Sequence, residues 1–244
     1  IRDEGTGSLI IQASDGILLQ SHTAEYYFRG IKDGAAKIYY NNAEKLVTTS
    51  TGVDVTGIVV ADGLTINTSG TSNFVAGVNA GNSIVSGGNY NTLVGDNAGT
   101  AITTGVGNTA VGDYALKVNT ASYNTAFGRH ALQLNTTGDG LTAVGHQALQ
   151  ANTTGDDNIA MGGYSASSGT YAALYYNTTG SNNVALGVGA LTSNTTANNN
   201  TAVGHSSLFA NTTGTYNTAF GRSAGTSVTT GNENTLIGGL AGDA

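Results

Sequence analysis

The sequence predicts an all-β repeat fold, a β-solenoid or β-roll, for most of its 244 residues. A five-residue phrase recurs along the chain, and its clearest copy reads Asn-Thr-Ala-Val-Gly at 108–112. Most copies follow each other after 17 residues, with single steps of 18, 16 and 25. A 17-residue step is too short for two helices and a turn, and Gly-Asn-Thr clusters recur too often for a helix to continue. The ten copies begin at Asn73, Asn91, Asn108, Asn124, Leu141, Asn158, Asn183, Asn200, Asn217 and Asn234.

The full repeat unit fits one coil of a solenoid. It consists of the phrase, two variable residues, Ala-Leu, two more variable residues, Asn-Thr-Thr-Gly and two last variable residues, as at 200–216. Two short strands and two turns account for this length. We predict the first strand at 109–111 and the second near Ala115 and Leu116.

Strand alternation separates small residues from large ones. It places Thr109 and Val111 on one face, and Asn108, Ala110 and Gly112 on the other. Small Ala and Gly suit the inside of a flattened coil, but the sequence leaves open which face is buried. Two columns of large apolar residues both require cover: Val111, Phe127, Met161, Leu186 and Ile237 in one, and Leu116, Leu132, Leu149, Leu174, Leu191 and Leu208 in the other.

The repeated polar residues have structural interpretations. Gly ends each phrase, from Gly77 to Gly238, and is interpreted as a turn residue or a point of close contact between coils. Asn at the phrase start is interpreted as a turn residue that also stacks with its equivalents.

Energy terms for one coil favour self-association. A coil offers about two large apolar side chains, worth roughly 1.5–3 kcal/mol each when buried. Ordering its residues costs about 1 kcal/mol or more apiece. We therefore expect neighbouring chains to cover an outer column in a symmetric homo-oligomer.

Residues 1–72 are predicted to form a β-rich shaft or collar that precedes the β-roll at 73–244. Asp15-Gly16, Asp33-Gly34 and Asn41-Asn42 supply turns between strands. Segment 35–45 is compatible with either strand or helix. The strands are predicted at 9–12, 17–20, 26–29, 37–40 and 53–60.

Composition excludes several function classes. Only 9% of the residues are charged, the net charge is −7, and Pro, Cys and Trp are absent. Residues 73–244 hold three basic residues against seven acids, so no basic stripe predicts nucleic-acid binding. No apolar run approaches the ~20 residues of a membrane helix, so we expect no membrane insertion. Apolar residues that recur in register argue against disorder.

The repeat wording resembles two related families. Asn-Thr-Ala-Val-Gly-x-x-Ala-Leu is similar to the repeat of YadA-like trimeric adhesin heads. In those heads each of three chains forms a left-handed β-roll, and the three rolls pack round a common axis. The longer unit with Asn-Thr-Thr-Gly resembles a variant in tail-fibre and appendage proteins of tailed phages, and 45–57 with 61–64 resembles their shaft modules. The 17-residue step departs from the shorter step of the adhesin heads.

The resemblance implies a homotrimer in a virion tail fibre or appendage. Its expected partners are other copies of itself, other fibre or tail proteins, and a host cell-surface glycan or protein. The expected function is a structural and adhesive segment that spaces and presents receptor contacts. The alternative is a bacterial trimeric adhesin head at the cell surface, and the lack of a C-terminal membrane anchor in the sequence favours the phage interpretation.

The sequence suggests one further function and argues against another. Ice binding is suggested by Thr136, Thr153, Thr178, Thr195 and Thr212, which recur in register. Catalysis is not expected, because the adjacent acids at 156–157 point to opposite sides of a strand, whereas glycosidases need two carboxylates across a cleft. We expect neither an enzyme nor a cofactor.

Candidate contact residues lie in two places. The 25-residue step contains an eight-residue insertion, placed at 165–172, which carries Tyr171 and is adjacent to Tyr175 and Tyr176. These three tyrosines are candidate receptor contacts, since exposed Tyr stacks on sugar rings. An alternative is that the loop caps or bridges neighbouring chains.

A second set of polar residues follows the Gly of the phrase. The residues at this position are candidate threefold-axis or turn residues, and the side chains in successive coils do not form a metal ladder. The set comprises Arg129, His146, His205 and Arg222.

Overall fold

The computed structural model describes residues 15–21, 25–50, 52–56 and 70–243. The chain divides into two compact units, 1–64 and 65–244. The described residues form strands and turns with no helix, and hence no helix that could cross a membrane. The predicted strand at 9–12 and the end of the one at 53–60 lie outside the described residues.

The first unit is a five-stranded antiparallel sheet in the order β1-β2-β3-β4-β5. The predictions at 17–20, 26–29 and 37–40 are confirmed. Asn41 and Asn42 both adopt left-handed φ values, 50° and 56°, as a tight hairpin turn requires, and so the ambiguous segment becomes two paired strands. The strands are β1 Gly16–Gln20, β2 Tyr26–Ile31, β3 Ala36–Tyr40, β4 Ala43–Thr49 and β5 Gly52–Val55.

The second unit is a parallel β-solenoid of about ten coils. Each phrase supplies one three-residue strand, and neighbouring strands pair in register, with Ala110 opposite Ala126. The predicted first strand at 109–111 is confirmed. The strands are β6 Phe74–Ala76, β7 Thr92–Val94, β8 Thr109–Val111, β9 Thr125–Phe127, β10 Thr142–Val144, β11 Ile159–Met161, β12 Val184–Leu186, β13 Thr201–Val203, β14 Thr218–Phe220 and β15 Thr235–Ile237.

The core runs through the coils of a single chain. Ala110, at the centre of its strand, is fully buried, whereas Thr109 and Val111 face outward. The leucine column at 116, 132, 149, 174, 191 and 208 is also fully buried. The expectation that this column needs cover beyond its own coils is therefore wrong, because the inward Ala residues and the neighbouring coils of the same chain cover it.

The predicted second strand is wrong, because Ala115 and Leu116 lie in a turn. Leu116 has φ 50°, and its equivalents in the leucine column have φ values of 48–51°. Adjacent strand residues would point to opposite faces, but Ala115 and Leu116 are both fully buried. A left-handed leucine costs roughly 1–2 kcal/mol, and burial of its side chain contributes roughly 1.5–3 kcal/mol, so the turn is tolerated.

Hydrogen bonds between coils continue through these turns. The amide of Leu116 donates to the carbonyl of Ala131 at 3.1 Å. Inside the solenoid, stacked asparagines add side-chain bonds, as where Nδ2 of Asn152 donates to Oδ1 of Asn135 at 2.8 Å and to the carbonyl of Gly155 at 3.0 Å. Every coil is therefore tied to the next by both backbone and buried side chains.

Candidate functional site

The insertion leaves the coil and returns without disturbing the stack. The amide of Ala173 donates to the carbonyl of Gly162 at 2.9 Å, which closes the base of the excursion. The amide of Ser165 donates to the carbonyl of Thr170 at 2.9 Å, so its outer part is a small hairpin. Strand β11 keeps its parallel register with β10 and β12. The solenoid thus provides a fixed support for the inserted residues.

The structure brings the three predicted tyrosines into one cluster. The ring centroid of Tyr171 lies 4.7 Å from that of Tyr175 and 5.4 Å from that of Tyr176. Tyr175 and Tyr176 contact each other edge to face at 4.7 Å. Tyr171 and Tyr176 are exposed, and Tyr175 is half-buried. The cluster therefore presents aromatic surface to solvent.

The pKa values of two phenols in this cluster, Tyr175 and Tyr176, are raised. Burial raises the pKa of Tyr175 above its usual value, and the Tyr171 phenol raises it further. A hydrogen bond with the Tyr171 side chain is the main cause that raises the pKa of Tyr176, followed by burial and the neighbouring phenols. Neutral phenols both donate and accept hydrogen bonds, so the cluster offers polar groups beside its ring faces.

The ring contacts continue beyond the insertion across several coils. Tyr164 lies 6.1 Å from Tyr171, and His146 lies 6.0 Å from Tyr164. His130 lies 6.2 Å from His146, and Tyr114 stacks on His130 at 5.3 Å with only 10° between the rings. We call the whole chain of rings the aromatic strip; it comprises Tyr114, His130, His146, Tyr164, Tyr171, Tyr175 and Tyr176.

Three members of the aromatic strip were missed by sequence reasoning. Tyr114, His130 and Tyr164 stand at successive intervals of about one coil, together with His146. That spacing was visible in the sequence. The mixture of Tyr with His along this spacing hides the common aromatic character of the four positions.

Polar side chains flank the middle of the aromatic strip. Nδ1 of His130 lies 2.7 Å from Oε1 of Gln133, and Nε2 of Gln150 donates to the same oxygen at 2.8 Å. Oε1 of Gln133 is thus shared between the His130 ring and the Gln150 amide. At the first end of the strip, Nζ of Lys117 lies 4.6 Å from the ring centroid of Tyr114, a cation–π contact.

His146 is the member of the predicted polar set that joins the aromatic strip. Burial lowers the pKa of His146, and the positive charge of Arg129 and the neighbouring His130 lower it further. Nε2 of His146 and Nε2 of His130 are both buried, and neither has a hydrogen-bond partner in the described structure. Burial and the nearby positive charge therefore favour the neutral form of the His146 ring.

The other three predicted polar residues lie at exposed turn positions. Nε of Arg129 is 3.3 Å from Oδ2 of Asp113 in a surface ion pair. Nδ1 of His205 is 3.0 Å from Oγ of Ser206, and Arg222 is exposed. Across the described ranges, no group of three or more His, Cys, Asp or Glu side chains is placed to hold a metal ion.

The hydroxyl groups of the regular threonine row form hydrogen bonds between neighbouring coils. Each hydroxyl donates to a backbone carbonyl of the next coil, at distances of 2.8–3.3 Å. These donors are not directed at a ligand. The residues are Thr136, Thr153, Thr178, Thr195 and Thr212.

Comparisons of this chain with protein-family models, curated proteins and solved structures found no match.

Proposed function

We propose that this chain is a structural and adhesive segment of a tailed-phage fibre or appendage, and that three copies pack side by side along their solenoids. The observation that carries the proposal is a column of apolar side chains, aligned by in-register strand pairing, on the outer face of the ten-stranded sheet. We call it the outer apolar column. It comprises Ala76, Val94, Val111, Phe127, Val144, Met161, Leu186, Val203, Phe220 and Ile237.

Several members of the outer apolar column are exposed in the single chain. Phe127 and Phe220 are 56% and 59% exposed, and Ile237 is 71% exposed. Contiguous exposed apolar surface is typical of protein interfaces. In-register pairing of the parallel strands aligns these side chains in one column. Every copy of the chain presents the same column, so symmetric packing of identical chains would bury it.

A spacer role is supported by the dimensions of the solenoid. Ten parallel strands at about 4.8 Å spacing give a rod of about 45 Å. Repeated coils extend such a rod without a new core, because each coil contacts only its neighbours. Three parallel chains would also present three copies of any weak surface contact, which raises the overall affinity.

The oligomer is tested by the molar mass of the purified chain in solution, measured by light scattering at several concentrations and after mild heating. We expect a stable mass near three times 24.4 kDa. A persistent monomer contradicts the packing proposal.

The virion assignment, which the sequence resemblance supports, needs a separate test. Gold-labelled antibodies against this chain are expected to decorate tail fibres of phage particles in electron micrographs. Labelling of uninfected bacterial cells, without labelling of particles, contradicts the assignment and favours the surface-adhesin alternative.

A further inference from the structure

We infer that the aromatic strip is a binding site for a neutral, linear oligosaccharide lying along the solenoid axis. The inference rests on the proposed adhesive function and deepens it. It extends the candidate site from the three tyrosines at and beside the insertion to seven rings, and it names the class of ligand.

The dimensions of the aromatic strip fit an extended polymer. Neighbouring ring centroids are separated by 4.7–6.2 Å. Between Tyr114 and Tyr164 each coil contributes one ring, and coils of paired parallel strands repeat at about 4.8 Å. This repeat is comparable to the advance of one sugar unit in an extended chain, so successive sugars would meet successive rings.

Ring surface and hydrogen-bonding groups occur together in the aromatic strip. Tyr164, Tyr171 and Tyr176 are each more than one-third exposed. The apolar C–H faces of sugars pack against aromatic rings, and phenol groups hydrogen-bond sugar hydroxyls. The amides of Gln133 and Gln150 lie beside His130 at the middle of the strip. This combination of flat apolar surface and neutral polar groups is the chemistry that recognises carbohydrate.

The charge distribution favours a neutral ligand over an acidic one. Lys117 lies at one end of the aromatic strip, over Tyr114, and Arg129 is paired with Asp113. Burial and the charge of Arg129 lower the pKa of His146, so this ring is uncharged at neutral pH. The cluster at 171–176 carries phenols only. A carboxylate or sulfate group on every sugar would therefore lack matching cations along most of the strip.

Three other tyrosines provide a comparison within the same solenoid. Tyr90, Tyr123 and Tyr216 are 68%, 68% and 61% exposed, more than any tyrosine of the aromatic strip. None of them contacts another aromatic ring in the part of the chain that the structure describes. They offer single rings rather than a continuous surface, so they are matched controls for ring removal.

The test uses the full 244-residue chain and defined tetrasaccharides as probes. The neutral probes are tetramers of β-1,4-glucose, α-1,4-glucose, α-1,6-mannose and β-1,4-N-acetylglucosamine, and the acidic probe is a heparin-derived tetrasaccharide. Binding is measured by isothermal calorimetry and by saturation-transfer NMR. The variants are Tyr164→Ala, Tyr171→Ala, Tyr171→Phe and the control Tyr123→Ala.

We expect at least one neutral tetrasaccharide to bind, and each strip Tyr→Ala variant to lower the affinity about tenfold. Tyr171→Phe is expected to keep most of the affinity, because the ring face remains. Tyr123→Ala is expected to bind like the parent chain.

Three results would overturn the inference. They are absence of binding of every neutral probe at millimolar concentration, equal affinity of the strip variants and the Tyr123→Ala control, and stronger binding of the acidic probe. Molar mass is recorded on the same samples. A trimer that binds no glycan overturns this inference alone, whereas a monomer that binds glycan through the strip overturns the proposed packing alone.

Discussion

The backbone amide of Asn108 donates to Oδ1 of Asn91, the equivalent residue one coil earlier, at 2.9 Å. Oδ1 of Asn108 in turn accepts from the amide of Asn124 at 3.1 Å, and its Nδ2 donates to the carbonyl of Ala121 at 2.9 Å. Asn108 is fully buried. One asparagine thus satisfies polar groups of two coils, and this explains why a polar residue recurs inside the core.

The substitution Asn108→Ala tests this role. We expect it to lower the free energy of unfolding by about 1–3 kcal/mol, because the buried amide of Asn124 loses its acceptor. Chemical denaturation followed by circular dichroism measures the change. Asn82→Ala is the control, since Asn82 is exposed. Equal losses in the two variants would show that burial of the asparagine contributes nothing.

Close contact between coils is tested at the Gly that ends the phrase. Gly112 has φ 136°, and a Cβ there would lie 2.6 Å from the carbonyl carbon of Gly128. Gly238 holds the same repeat position with φ 122°, but nothing lies within 4 Å of its Cβ direction. Alanine at either position would adopt an unfavourable backbone conformation. Only at Gly112 would its Cβ also clash with the backbone of the next coil.

We therefore expect Gly112→Ala to destabilise the chain by about 1–3 kcal/mol more than Gly238→Ala. Thermal and chemical denaturation of the two variants give the comparison. Equal destabilisation would mean that backbone conformation alone selects glycine at this position.

The sequence was sufficient to predict the solenoid and its first strand. The spacing between copies of the phrase gives the length of one coil, and the residues at 108–112 show the alternation of a strand. The sequence was insufficient for the turn at Ala115 and Leu116. Strand alternation assigns adjacent residues to opposite faces, and only the left-handed conformation of Leu116 directs both inward. The sequence therefore did not show that one chain buries its own leucine column.

The aromatic strip was harder to predict for a different reason. Its members take different positions within their coils, as His146 directly follows the Gly of the phrase whereas Tyr114 and His130 are one residue further along. Contacts between such positions depend on side-chain direction and coil stacking. The trio at Tyr171, Tyr175 and Tyr176 was accessible because its members are near one another in the sequence.

Acid is expected to weaken the coils around His146. Burial, Arg129 and His130 lower the pKa of this ring from 6.5 in the folded chain, so the unfolded chain binds the proton more readily. The free energy of unfolding is therefore unaffected by protonation of His146 well above pH 6.5, and it decreases progressively as the pH falls below about 6.5. Melting temperatures measured from about pH 8 to about pH 5 show the slope.

Two variants assign this pH dependence. His146→Gln removes the titrating ring and is expected to flatten the decline below pH 6.5. His205→Gln, at an exposed turn, is expected to leave the decline as in the parent chain. An unchanged decline in His146→Gln would exclude this ring as its source.

If three chains pack through the outer apolar column as proposed, charge placed on that column prevents their association. Phe127 and Phe220 project from the sheet into solvent in the single chain, so lysine at both positions leaves the core of each coil intact. In a trimer packed through this column, each lysine would have to be desolvated among apolar side chains, which is strongly unfavourable without a partner. We expect the double variant Phe127→Lys and Phe220→Lys to remain folded but to fall to the monomer mass of 24.4 kDa in light scattering.

The matched control places lysine at two other exposed aromatic positions, Tyr123→Lys and Tyr216→Lys, each four residues before one of the phenylalanines. These residues are at least as exposed as the phenylalanines, and each lies in a turn before its strand rather than on the sheet face. The control is expected to stay trimeric, because the added charge remains in water. If both double variants dissociate, general charge repulsion rather than packing through the column is responsible. If neither dissociates, the sheet face is not the surface that joins the chains.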